Sequence, residues 1–487
     1  MAEAQPGGVH PRVSIWPEVA ASERVVARNF LALGTAEILS RLVAFAATVY
    51  LARVLGATMY GIVAFASAVA LYFAHLGNFG VEVVGVQVVA EQRDRRDGLV
   101  GMLLVARLLW ATLLGIALAG ASLLLLPSPD AVVMAGFALG LPVLAANARW
   151  IHLALERTGV AAAARIIGEL TTFALLVILV RDAADVALVP FGILIGGAVA
   201  AALLLGWLRR WKISLRPGPA WSLLRPVIRR AWPMTVYGLL GLVLYNADLI
   251  FLRFTHAATV AGYYAIAYTL ISFLSNIGLA YALTLLPTMS RLEHRDGGRR
   301  LLYHTATAQV FAASLPAAIG GYLLAPHLIA VIFGAAYEPA VVGLQILIWS
   351  VPLSVMRDLP FVALVASARE DRLLHLNALT VLCSIALMVV LIPRFGLIGA
   401  AVATLLTEAL RFGFALRLAG AEGYEFVRVG RLWRALVAAA AMAICLVAIR
   451  TQSLWLLLAV GAASYVGALS LLGAIEFRRG TLPALRV

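Results

Sequence analysis

The chain is short of charged residues. Only 13% of its 487 residues are charged and 63% are apolar, whereas a soluble domain carries charge on about a quarter of its residues. A water-soluble fold of this length does not bury so much apolar surface, so we expect lipid to surround most of it. Lysine is the scarcest charged residue, since Lys212 is the single lysine among 38 lysine and arginine residues. The composition therefore predicts an all-α integral membrane protein.

The sequence also lacks the patterns of a catalyst or a metalloprotein. Its two cysteines, Cys383 and Cys445, lie in separate apolar segments, without metal-ligand spacing and in positions that do not favour a disulfide. No HExxH, GxxxxGK or DxD motif occurs. We therefore expect no catalytic residue, no metal site and no cofactor.

The formal net charge of +14 does not indicate a nucleic-acid partner. Basic residues lie in short segments between apolar stretches, with no continuous basic stripe. Residues 1–22 contain several prolines and glycines and no apolar core, which predicts a short cytoplasmic tail and not a cleaved signal peptide.

Fourteen apolar stretches are long enough to cross about 30 Å of hydrocarbon as helices. We place them at 29–51, 59–86, 99–126, 131–153, 161–180, 186–207, 231–252, 259–289, 301–324, 339–367, 373–392, 396–416, 435–449 and 453–475. Region 326–339 is open to a second interpretation, as a short re-entrant turn.

The distribution of arginine predicts the orientation. With both termini in the cytoplasm, the inward segments hold most of the basic residues between helices: Arg93, Arg95, Arg96, Arg209, Arg210, Lys212, Arg216, Arg225, Arg229, Arg230, Arg291, Arg295, Arg299, Arg300, Arg428, Arg431, Arg434, Arg478, Arg479 and Arg486. The outward loops hold five: Arg53, Arg181, Arg253, Arg394 and Arg450. This asymmetry is typical of a multi-pass protein of the bacterial cytoplasmic membrane.

Two matching pairs of segments indicate an internal duplication. Leu51-Ala-Arg53 through Gly61 matches Phe251-Leu-Arg253 through Gly262, and Phe191-Gly matches Phe395-Gly at nearly the same offset. Two six-helix lobes in parallel orientation are typical of transporters that rock around a central site. The predicted units are a tail (1–22), a first lobe (23–207), a basic cytoplasmic linker (208–230), a second lobe (231–418), and two extra helices with a cytoplasmic tail (419–487).

Three segments resemble the polysaccharide (O-antigen type) flippase family. They are Arg28-Asn29 with Leu51–Gly61, Asp248–Tyr268, and Leu391-Ile-Pro393 through Glu408. The resemblance implies the fourteen-helix fold shared with multidrug exporters and lipid II flippases. It also implies transport of a polyprenyl-diphosphate-linked oligosaccharide across the membrane, with a polysaccharide polymerase as an expected partner and no enzymatic activity.

Three other functions stay open at this point. A lipid II flippase and an ion-coupled multidrug exporter have the same fold. A membrane-embedded glycan polymerase or ligase generally carries a large outward loop, and here no outward loop exceeds about 15 residues by the predicted spans. The arginines within the spans favour an anionic cargo over a cationic drug.

Ionisable residues inside the spans are the candidate site residues, because each costs roughly 2.5–3.5 kcal/mol on insertion. Arg41 lies near the middle of the first span, four residues after Glu37, a spacing that allows an ion pair. We expect Arg41 to bind a diphosphate or an acidic sugar, because a guanidinium bonds two oxygens at once. The alternative is a self-satisfied structural pair.

Further candidates lie deeper in the chain. Arg107 either binds cargo or extends towards the membrane surface. Arg357 is a cargo candidate beside Asp358, and because adjacent residues point apart on a helix, we expect the two not to neutralise each other. Asp248, Asp358 and His75 are candidates for a coupling proton or sodium ion. The ordinary roles are a turn cap for Asp248 and an interhelical hydrogen bond for His75.

Overall fold

The computed structural model describes residues 16–91, 96–213, 221–292, 298–366, 370–424, 432–476 and 484–485. Sixteen α-helices occur in the described part: α1 Trp16–Asn78, α2 Val81–Glu91, α3 Arg96–Leu125, α4 Asp130–Leu139, α5 Leu141–Ala145, α6 Arg149–Ala154, α7 Thr158–Leu179, α8 Val189–Arg210, α9 Trp221–Thr255, α10 Ala258–Arg291, α11 Gly298–Ile332, α12 Ala340–Leu347, α13 Ser350–Ala366, α14 Glu370–Ala421, α15 Trp433–Ala448 and α16 Leu454–Leu471. Short 3₁₀ turns lie at Ala183–Leu188 and Ala335–Tyr337. The two-residue strands β1 (Ile475–Glu476) and β2 (Ala484–Leu485) pair antiparallel.

Several predictions concern residues outside the described ranges. They are the first fifteen residues of the tail and the inward residues Arg93, Arg95, Arg216, Arg295, Arg428, Arg431, Arg478, Arg479 and Arg486.

The described helices confirm an all-α membrane architecture. The described residues contain eleven helical stretches that are long and apolar enough to cross a bilayer, some of them formed by consecutive helices such as α12 and α13. A shorter apolar helix is Trp433–Ala448. Two of the eleven stretches, Gly34–Asn78 and Asn377–Ala421, are 45 residues long. A crossing needs about 20 residues, so each of these stretches has the length of two crossings.

A glycine interrupts each of the two long stretches. Gly56 (φ 69°) lies inside α1 and Gly396 (φ 53°) lies inside α14, both with backbone angles that L side chains rarely adopt. An added Cβ at Gly396 would also lie 3.2 Å from Nε2 of His256. Each glycine therefore allows the chain to end one helix and begin the next without an intervening loop.

Three predicted spans are broken, which hydrophobicity did not indicate. The second breaks between α1 and α2, where Phe79 and Gly80 have positive φ. The fourth is divided into α4, α5 and α6, and the tenth into α12 and α13. In contrast, α11 continues through Pro326 to Ile332, so the start of region 326–339 extends a helix and is not a re-entrant turn.

The main hydrophobic core joins the two halves of the chain, residues 23–207 and 231–418. It contains Leu55 and Phe65 from α1 beside Ala261 and Ile271 from α10. A second core, within the first half, also includes Val227 and Ala231 from the start of α9. Helix α9 begins at Trp221, so the last ten residues of the predicted linker are helical and partly packed against the first half.

The last two helices pack against α11. A separate core holds Leu315 and Leu324 of α11 with Met442 of α15 and Tyr465 of α16. The Tyr465 hydroxyl donates to the Ala312 carbonyl oxygen at 2.6 Å. These helices attach to the second half and not to the contact between the halves.

Candidate functional site

Glu37 joins two arginines in the first half. Its carboxylate accepts from Nε of Arg41 at 2.9 Å and from Nη1 of Arg165 at 2.6 Å. The predicted Glu37–Arg41 pair is therefore present, and Arg165 of α7 is a third member, which sequence spacing does not connect to this pair. One carboxylate between two guanidinium groups leaves a net charge of +1. The Arg41 side chain keeps 42% of its surface uncovered by protein, so a ligand can reach it.

Arg107 is bound to the break in the second span. It is only 3% exposed, and it donates to Oδ1 of Asn78, the last residue of α1. Asn78 in turn donates to Oε2 of Glu82 at 3.2 Å. Nε and Nη1 of Arg107 have no hydrogen-bond partner among the described residues. The alternative in which Arg107 extends to the membrane surface is therefore wrong.

Arg357 belongs to a compact four-residue network. It donates to Oε2 of Glu408 at 2.6 Å and to Oδ1 of Asp358 at 2.9 Å, and Arg411 bonds the other oxygen of Glu408. The expectation that Arg357 and Asp358 do not neutralise each other is wrong. The long arginine side chain folds back along its own helix, so the divergence of neighbouring Cβ atoms does not keep the charges apart. Two cations and two anions make the network neutral.

Asp248 lies in a buried polar pocket of the second half. It is 1% exposed, seven residues before the end of α9, so it does not cap the turn after that helix. The hydroxyls of Tyr264 and Thr404 both donate to Oδ2, the latter at 2.9 Å. A carboxylate held by neutral hydroxyls keeps its full charge available for a proton or a cation.

His75 makes the ordinary interhelical contact. Its Nε2 lies 3.1 Å from the Thr235 carbonyl oxygen of α9, and its ring fills the space beside Gly238. Nearby, the Tyr72 hydroxyl donates to the Leu242 carbonyl oxygen at 2.8 Å. His75 and Tyr72, in the second span of the first half, thus connect that span to α9, the first helix of the second half.

Equivalent residues of the two halves meet where these halves cross. The Oγ1 atoms of Thr58 and Thr259, 201 positions apart, are 2.7 Å from each other. An added Cβ at Gly61 would overlap the Ala258 carbonyl oxygen, and one at Gly262 would overlap the Ala57 carbonyl oxygen. Each member of these pairs is again 201 positions from its counterpart. The contact is therefore self-complementary, as at a two-fold axis.

Two arginines at equivalent positions each reach the opposite half. Arg53, near the Gly56 bend, donates from Nε to the Ile332 carbonyl oxygen at 2.8 Å. Arg253, 200 positions later, donates from Nη2 to Oδ1 of Asp130 at 2.7 Å. We call this end of the molecule the Gly56 face and these two contacts the arginine clasps. The sequence places both arginines in outward loops and in matching segments of the duplication, but it does not indicate these contacts.

The structure thus places the predicted residues in separate networks. Arg41 and Glu37 lie with Arg165, Arg107 with Asn78, and Arg357 and Asp358 with Glu408 and Arg411. The sequence did not reveal the contacts of Arg165, Thr404 and the clasps, because their partners are 123 to 279 residues away, beyond any local spacing rule.

Comparisons with known proteins agree with this fold. The protein described as "Probable flippase AglR" of Haloferax volcanii is 30% identical over 209 residues, 41% of this chain and 43% of that protein, so the match spans less than half of the relative. The inward closed conformation of the lipid II flippase MurJ matches with a TM-score of 0.76 at 12% identity, covering 91% of this chain and 98% of MurJ.

An inward-facing multidrug resistance MATE transporter of the MOP superfamily matches with a TM-score of 0.62 at 14% identity, over 78% of this chain and 95% of that one. At such identities the structures show a common fold. The sequence model described as "Polysaccharide biosynthesis protein" matches residues 26–293, more than half of the chain. The resemblance found in the sequence is thereby confirmed, and the chain belongs to the polysaccharide biosynthesis protein family.

Proposed function

We propose that the chain is a flippase that moves a polyprenyl-diphosphate-linked oligosaccharide across the bacterial cytoplasmic membrane. In this proposal, the eleven apolar stretches and α15 together make fourteen crossings, because the stretches in α1 and α14 each cross twice. Residues 23–207 and 231–418 are two lobes, both termini are cytoplasmic, and the Gly56 face is the outer face.

The self-complementary contact on the Gly56 face carries the proposal. Thr58 meets Thr259 and Gly61 meets Gly262, so the backbones of the two halves approach each other closely through small side chains at this face. Small residues permit close approach of two helices and their separation without leaving a large cavity. This arrangement suits two lobes that close at the outer face while cargo enters from the cytoplasm, and that separate there to release it.

The charge of the networks supports an anionic cargo. The Arg41–Glu37–Arg165 network has a net charge of +1, and Arg41 is accessible. The Arg357 network is neutral and nearly covered, which favours Arg41 and Arg165 for binding a diphosphate and a positioning role for Arg357. A cationic drug would be repelled by the first network. The related protein AglR, described as a flippase, points to the same class of transport.

For the coupling ion, Asp248 is favoured over the other two candidates. Asp358 is neutralised by Arg357, and His75 is engaged with the Thr235 carbonyl oxygen. Asp248 alone combines deep burial with oxygen donors, since Tyr264 and Thr404 surround its carboxylate. The carboxylate and the two hydroxyls supply four oxygens that can coordinate a sodium ion, and a carboxylate in such a pocket also accepts a proton.

The proposal is tested by glycan export in cells that depend on this chain. Replacing Arg41 or Arg165 by Gln should abolish surface polysaccharide and lead to accumulation of the lipid-linked oligosaccharide, while the variants remain in the membrane at wild-type levels. Arg209→Gln, an exposed arginine of α8, is the matched control. Normal surface polysaccharide in both variants would refute the cargo assignment. Lost peptidoglycan synthesis would indicate lipid II, and lost dye efflux a drug exporter.

A further inference from the structure

The first half contains an elongated cavity whose lining includes Arg165 but not Arg41. Its volume is about 430 Å³, and α1, α5, α7 and α8 surround it. Along α7 the lining extends from Ala161 to Leu176, which corresponds to ~22 Å of helix. An elongated space of this size can accommodate a hydrocarbon chain.

Small residues create this cavity beside the break in the fourth span. Gly197, Ala47 and Ala200 line it, and the chain between α5 and α6 leaves the helical path at Asn147. The lining residues Leu144 and Ile193 are 50% and 37% exposed, so the cavity is not closed off from the surface of the molecule.

The two ends of the cavity differ in chemistry. Leu51, Leu176 and Ile193 form an apolar end. Arg149, Arg165 and Asn147 lie at the other end, which in the proposed orientation is nearer the cytoplasm. Glu169 and Thr172 lie between the two ends. A mainly apolar cavity with a basic end is complementary to an amphiphile with an acidic head.

Arg149 is the basic lining residue whose guanidinium is available to bind a ligand. Its backbone amide donates to Oδ1 of Asn147 at 3.0 Å, but its guanidinium forms no hydrogen bond or ion pair with the residues that the structure describes. Arg165 is already held by Glu37, which Arg41 shares. Together with Glu169, these five charges sum to +1. One negative charge would balance them.

We propose that this cavity binds one anionic phospholipid, with its phosphodiester on Arg149 and one acyl chain along the passage towards Leu176. A phosphodiester carries a single negative charge, which matches the one guanidinium, that of Arg149, with no partner among the described residues. The cavity lies within one half and not between the halves, so this lipid stays bound while the halves move. The cavity shares Arg165 with the proposed cargo site, but the phosphodiester is assigned to Arg149, and lipid retention is measured without cargo.

Native mass spectrometry of the full chain in mild detergent tests this assignment. We expect the wild type to retain one phosphatidylglycerol under conditions that remove phosphatidylcholine, with at least tenfold preference for the anionic lipid. Arg149→Gln should reduce that affinity about tenfold, because a charge-assisted bond to phosphate is lost. Arg209→Gln makes the same charge change on the exposed end of α8 and should leave the affinity unchanged.

A second variant fills the passage without removing charge. An added Cβ at Gly197 would meet only Cγ1 of Val143, at 3.5 Å, so Gly197→Leu can be accommodated and should prevent retention of the lipid. Equal binding of the two phospholipids would overturn the proposal, as would full retention in Arg149→Gln or in Gly197→Leu. Displacement of phosphatidylglycerol by an equal concentration of polyprenyl phosphate would also overturn it, because the site would then select the carrier lipid.

Discussion

Removing one partner of an arginine clasp should open the Gly56 face. In the Arg253–Asp130 pair, the aspartate side chain is 5% exposed and the arginine side chain 23%. Breaking a buried pair costs about 3–5 kcal/mol. Because the arginine is partly exposed, we discount this to about 1–2 kcal/mol for Asp130→Asn. A free-energy change of that size alters an equilibrium constant by about 5–30-fold.

The assay is a distance measurement between spin labels on the two halves. Cysteines at Ala184 and Ala336, both exposed on the Gly56 face, carry the labels after Cys383 and Cys445 are replaced by serine. We expect Asp130→Asn to increase the population at the longer distance, and the charge-exchanged pair D130R/R253D to restore the wild-type distribution.

Glu338→Gln is the matched control for this experiment. It removes an exposed carboxylate from the same face without touching a clasp, and it should leave the distribution unchanged. An unaltered distribution in Asp130→Asn, or an equal shift in Glu338→Gln, would refute the role of the clasp.

Three further predictions concern single residues. Asp248→Asn should either make export independent of the ion gradient or abolish it, while protein levels stay normal. Transport in vesicles with imposed proton or sodium gradients measures this coupling, and coupling equal to that of the wild type would exclude Asp248 as the ion-binding residue. Gly396→Ala should lower stability by about 1–2 kcal/mol, because its φ is 53°, as judged by thermal unfolding against Gly413→Ala as control. Gly61→Val should hold the Gly56 face open, because the side chain would overlap the Ala258 carbonyl oxygen, and the spin-label distances report it.

The sequence predicted the features that depend on local pattern. Apolar length located the membrane helices, and the four-residue spacing of Glu37 and Arg41 correctly indicated their ion pair. Apolar length does not register helix breaks, so the divided spans at Gly140 and at Trp349 were missed. The prediction that Arg357 and Asp358 do not neutralise each other was wrong because the arginine side chain is long and flexible. It folds back onto Asp358, although the directions of the two Cβ atoms alone suggest separation.

The duplication contained more information than its first interpretation used. It placed Arg53 beside Arg253 in alignment, but only the three-dimensional crossing of the halves shows that each reaches the opposite one. The ion pair between Glu37 and Arg165 could not be predicted either, because the two residues lie 128 positions apart on different helices. A single sequence does not specify how each helix is rotated about its axis against its neighbour.

Covalent closure of the Gly56 face tests alternating access most directly. The hydroxyls of Thr58 and Thr259 are 2.7 Å apart, so cysteines at these positions are close enough for a disulfide, whose sulfurs lie about 2.05 Å apart. The account predicts that oxidising the T58C/T259C protein stops export and that a reductant restores it, while either single cysteine has no effect. Undiminished export by the fully cross-linked protein would contradict it.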